Sequence, residues 1–97
     1  MNLVISDEAA NWYKDEIGLK NGDKVRFFAR YGGSSKVQSG FSLGVSIENE
    51  TRNIGVETNK QGIIFYIEEE DFWYFDGHDL SVEFNSTADE PEFEYQK

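Results

Sequence analysis

Cysteine is absent from the sequence. That excludes a disulfide framework, a thiolate zinc site, a cysteine nucleophile and a thiolate-held iron–sulfur cluster. No stretch approaches the roughly 20 apolar residues that a membrane-spanning helix needs. The opening Met1-Asn2-Leu3-Val4-Ile5-Ser6-Asp7-Glu8 has no basic region followed by a long apolar run, so no signal peptide is visible and a cytoplasmic location is expected. Positive charge is scarce as well, with nine Lys and Arg against nineteen Asp and Glu. Residues 1–47 hold six basic and five acidic side chains, whereas residues 48–97 hold three basic and fourteen acidic. Such a face repels phosphate, so neither nucleic acid nor an anionic membrane is an expected ligand, and a protein is the expected partner.

Aromatic residues are abundant: eight Phe, five Tyr and two Trp in 97 residues. Each ring can bury on the order of 150–250 Å², enough for a short chain to close one core. A single domain over 1–97 is expected, with residues 86–97 an acidic C-terminal tail.

Local patterns suggest the elements. Leu3-Val4-Ile5 reads as a short edge strand. Ser6 reads as an N-cap, with Asp7 and Glu8 at the positive end of the helix dipole and Gly18 at the left-handed stop. Ala9, Ala10, Tyr13 and Ile17 share one face, predicting a helix over 7–17. Val25, Phe27, Ala29 and Tyr31 alternate as in a strand. Phe41, Leu43, Val45 and Ile47 alternate more cleanly and predict a buried face. Further strands are predicted near 54–58, 63–67 and 80–85. The class expected is mainly β with one N-terminal α-helix, in a compact sandwich or barrel.

Three short segments, taken in order, resemble the HesB-like family of A-type iron–sulfur carriers. They are Val4-Ile5-Ser6-Asp7-Glu8-Ala9-Ala10, Arg30-Tyr31-Gly32-Gly33-Ser34-Ser35 and Tyr74-Phe75-Asp76-Gly77-His78-Asp79-Leu80. The resemblance implies that family's β-sandwich or pseudobarrel, and a link to iron or iron–sulfur metabolism. It also implies that Ser34 stands at the family's loop ligand position. Serine is a hard oxygen donor and cannot replace a thiolate on a soft cluster, so no cofactor is expected.

The densest set of polar ligands is Glu68-Glu69-Glu70-Asp71 with Asp76, His78 and Asp79 nearby. Glu68, Glu70, Asp76, His78 and Asp79 are candidate metal ligands for a hard cation, though their spacing matches no EF-hand or His-carboxylate motif. The favoured reading is a solvated acidic turn, with the metal site as the alternative. His78, the only histidine, has no nucleophile in a recognisable setting. The Gly32–Gly40 loop lacks the order of a phosphate cradle. The expected function is therefore a non-enzymatic modulator acting through protein contacts, with an oxygen-ligand metal binder as the alternative.

Overall fold

The computed structural model describes residues 1–97. Strand β1 (Leu3–Ile5) leads into helix α1 (Asp7–Ile17). There follow β2 (Lys24–Ser34), β3 (Ser39–Ile47), β4 (Ile54–Lys60) and β5 (Ile63–Glu68). A single 3₁₀ turn (Glu69–Asp71) and a four-residue helix α2 (Phe72–Phe75) precede β6 (Asp79–Asn85) and β7 (Glu90–Gln96).

The first helix begins where the capping chemistry dictates. Ser6 is extended at φ −72°, ψ 154°, and its Oγ accepts the Ala9 N–H at 3.1 Å. Gly18 closes the helix at φ 80°, donating to the Lys14 carbonyl. Ser6→Ala removes that acceptor and should lower stability by about 0.5–2 kcal/mol. An unchanged urea midpoint would show that the hydroxyl does not hold the helix start.

Two sheets form, and both are mixed. One has the order β1-β6-β7, with β1 parallel and β7 antiparallel to β6. The other has the order β3-β2-β5-β4, with β2 and β5 parallel at its centre. The two parallel pairings, and a second helix, depart from the HesB-like sandwich with one N-terminal helix: the molecule is a small mixed-sheet β domain with two short helices. The reason for the second helix is local. Phe72-Trp73-Tyr74-Phe75 has no period-two alternation to hold a strand, and Asp76 and Gly77, at φ 48° and 76°, end the turn of helix left-handed. The 86–97 segment, read as a tail, carries β7, whose Phe93 and Tyr95 pack on the core.

β4 and β5 are joined by the two-residue turn Gln61-Gly62, both residues at positive φ (56° and 81°), the geometry that suits a tight hairpin. β5 is central, and five of its six side chains are buried. Around it lie the rings of the core: Phe27 stacks on Phe65 at 6.2 Å, and Tyr13 and Phe93 meet this pair edge-on. Burial pushes the Tyr13 phenol up to about 12, since its anion would lose water. On the outer face of β2 and β3, the Phe28 ring lies directly over Gly44. A Cβ there would overlap the ring, so any other residue would force the ring aside.

The face of β3 differs from the expectation. Phe41 and Leu43 are half-buried, while Val45 and Ile47 are 38% and 43% exposed. Alternation marks a strand whose two faces differ in polarity, and here the apolar face is only partly covered.

Candidate functional site

The acidic quartet is solvated only in part: Glu69 and Glu70 are exposed, whereas Glu68 and Asp71 are not. Glu68 is buried, and its carboxylate accepts the backbone N–H groups of Arg52 and Asn53 at 3.0 and 2.6 Å. Asp71 is buried as well, accepting from Arg26 at 2.8 Å and from the Ala29 N–H at 3.2 Å. Glu69 accepts from the Asn53 side-chain amide at 2.8 Å. Glu70 lies 3.0 Å from Arg26 and 3.6 Å from Arg52. Arg26 thus sits among three carboxylates, the third being Glu48 at 3.4 Å. The Ser46 hydroxyl donates to Glu48 at 2.6 Å and, with Arg26, holds that carboxyl below its ordinary range. Arg26 drew no attention in the sequence because its partners lie more than twenty residues away. Four consecutive acids in a chain with three arginines were the available signal.

The remaining candidates are dispersed by the same kind of local bonding. Asp76 is the left-handed stop of α2. His78 Nδ1 lies 2.9 Å from the Phe75 carbonyl, which requires that nitrogen to carry the proton and donate. Asp79 accepts the Asn2 backbone N–H at 2.7 Å, fastening the N-terminus to β6. Ser34 is exposed at the end of β2, paired with Ser39. No group of three or more His, Asp or Glu side chains is arranged to hold a metal ion.

What the fold does assemble is an apolar groove of about 410 Å³ between α1, β3 and β7. Trp12, Tyr13 and Ile17 form one wall, Val45 and Ile47 the second, Pro91 and Phe93 the third. The helix sets its wall by geometry: Ala9, Ala10 and Tyr13 turn into the core, which leaves Trp12 and Ile17 at the flank. Ile17 is 48% exposed. Ser46 and Glu90 are the non-aromatic polar residues of the lining, and the Ser46 hydroxyl is engaged by Glu48. Trp12 also borders a neighbouring cleft lined by Glu8, Asp15 and Glu16. At the opposite end of β3, Tyr31, Phe41 and Trp73 form an edge-to-face ladder with centroid separations of 5.6 and 4.9 Å. Tyr31 is 87% exposed and Trp73 50%. Exposed rings and aliphatics rimmed by acids are the composition of a protein-docking surface.

No family model matches the chain. It is 56% identical over 96 residues, 99% of its length and 100% of the other, to a Bacillus subtilis protein named pyruvate dehydrogenase inhibitor. It is 40% identical over 92 residues to an uncharacterized protein of Staphylococcus saprophyticus, covering 93% of this chain and 94% of that one. An uncharacterized Staphylococcus haemolyticus protein is 39% identical over 85 residues, 86% of each chain. The chain belongs to the family these proteins form.

These findings overturn the HesB-like expectation and, with it, the link to iron–sulfur metabolism. The Bacillus subtilis relative is named for pyruvate dehydrogenase inhibition, not for iron–sulfur metabolism. The three resembling segments owe their form to general chemistry: a serine cap, a Gly-rich hairpin tip and an Asp-Gly turn. Any small domain with a strand–helix opening and tight turns can carry them. No helix of the chain is long and apolar enough to cross a membrane.

Proposed function

We propose that this chain is a non-enzymatic inhibitor of a pyruvate dehydrogenase, acting by direct contact as a folded protein. The observation that carries the reading is the 56% identity to the Bacillus subtilis inhibitor over the whole of both chains. The groove between α1, β3 and β7 supports it, since it presents apolar surface with no catalytic group to act on a substrate. Inhibition by an 11.2 kDa domain works by covering a surface or holding a conformation of the target. A net charge of −10 speeds encounter with a basic target surface, an advantage that salt erodes.

The test is a titration of the purified chain into the pyruvate dehydrogenase complex of Bacillus subtilis, the source of the named relative, following pyruvate-dependent NADH formation. Decarboxylation by the thiamine-dependent component is measured alongside with an artificial electron acceptor. A saturable loss of activity is expected, with a higher inhibitor requirement at high salt. Full activity with the chain in excess over every subunit would refute the reading.

A further inference from the structure

Each of the two sheets has two edges, and three of the four edges are guarded. β1 is only three residues long, and Thr58 Oγ1 donates to its Leu3 carbonyl at 2.6 Å. β4 has a register break between Ile54 and Val56 and carries Glu57 and Lys60. β7 carries Pro91 and the charges of Glu90, Glu92 and Glu94. Short length, bulges, charge and proline are the devices by which soluble proteins stop an edge from pairing with another chain.

β3 has none of them. It is nine residues long, its sequence Ser-Gly-Phe-Ser-Leu-Gly-Val-Ser-Ile contains no charge and no proline, and it ends the order β3-β2-β5-β4. Its pairing with β2 is regular from Phe41 to Ile47, the one irregularity falling beyond Tyr31 at the hairpin tip. Seven regular residues span roughly 23 Å and leave a row of outward N–H and C=O groups without a strand partner. The same strand carries Val45 and Ile47 into the groove and Phe41 into the aromatic ladder. Backbone valence and side-chain pockets therefore lie side by side along one edge. This is the arrangement by which sheets bind an added strand: main-chain bonds give affinity and pockets read alternate side chains.

We infer that β3 is the docking edge of this protein, and that it takes an extended segment of its target with alternating apolar side chains and basic flanks. The basic character follows from what surrounds the groove. Glu90 lines it, Asp15 and Glu16 border Trp12 beside it, and Glu50 lies just past the end of β3. A second copy would bring together two chains of net charge −10, so the complementary occupant is cationic. That the segment belongs to pyruvate dehydrogenase rests on the inhibitor reading; the strand-binding edge does not.

Hydrogen exchange by mass spectrometry over residues 39–47 tests it, with two probes. One is the pyruvate dehydrogenase complex, the other a capped peptide of alternating arginine and valine. Each should slow exchange of the outward β3 amides at least about tenfold. Val45→Lys places a charge on the exposed edge and should abolish that protection, and weaken inhibition about tenfold or more, with the melting curve retained. Should that variant not fold, the exchange data on the parent chain decide. Inhibition by the parent with β3 exchange unchanged would overturn strand addition and leave the inhibitor reading standing. Protection by the peptide without binding to the complex would retain the edge and refute the inhibitor reading. Concentration-dependent protection of β3 in the chain alone would give the edge to a second copy and overturn the proposal, as would protection by neither probe.

Discussion

Replacing Arg26 by methionine is expected to cost about 3–5 kcal/mol, because it strands a buried carboxylate without its counter-charge. Asp71 is the partner that matters: its side chain is 10% exposed and lies 2.8 Å from the guanidinium. Glu48 and Glu70, at 40% and 55% exposure, are screened by water and contribute little apiece. Arg26 also spreads over the Phe28 ring at 5.5 Å, so methionine retains part of the packing while removing the charge. Each kcal/mol moves the melting point of a domain this size by roughly 4–8 °C, so the variant should melt well over ten degrees lower. Glu70→Gln should shift stability by less than about 1 kcal/mol. The double change Arg26→Met with Asp71→Leu should recover much of the loss, since it removes both charges together. If Arg26→Met and Glu70→Gln gave the same denaturation midpoint, the buried pair would not be the anchor of the 3₁₀ turn.

That ion cluster also marks the limit of what sequence patterns reveal. Helix α1 was legible because its cap, dipole charges and stop all act within a few residues of one another. The strands were legible where alternation was strict. The role of Glu68 and Asp71 was not, because burial of a carboxylate depends on donors brought from elsewhere: the Arg52 and Asn53 amides for one, Arg26 for the other. The parallel pairs β1–β6 and β2–β5 were likewise hidden, since no hairpin signal joins strands so far apart. The groove was half legible. Tyr13, Ile17, Val45 and Ile47 were read as apolar faces, but periodicity says only that a face is greasy, and coverage is decided by which elements fold over it. The resemblance to HesB-like carriers failed for a related reason: caps and turns are shared by unrelated chains, and identity over a full length is not.

The contrast between covered and uncovered apolar surface gives the second large effect. Phe65→Ala should destabilise the domain by about 3–5 kcal/mol. Phe65 is fully buried on the central strand β5, stacked against Phe27 and met edge-on by Tyr13, so its own sheet and the helix lose a shared partner. Neighbouring rings cannot collapse into the gap without leaving their rotamers, and most of the cavity should persist. Val45→Ala removes apolar atoms from a side chain already 38% exposed, and its cost should stay below about 1 kcal/mol. The sequence alone places both residues in predicted strands and does not rank them. Urea denaturation of both variants with unchanged m-values makes the comparison. A cost at Val45 equal to that at Phe65 would mean that the β3 face is core, closed in solution, and that the groove beside α1 and β7 is not open to a partner. A small cost at Val45 together with lost inhibition would separate what holds this fold from what it offers to its target.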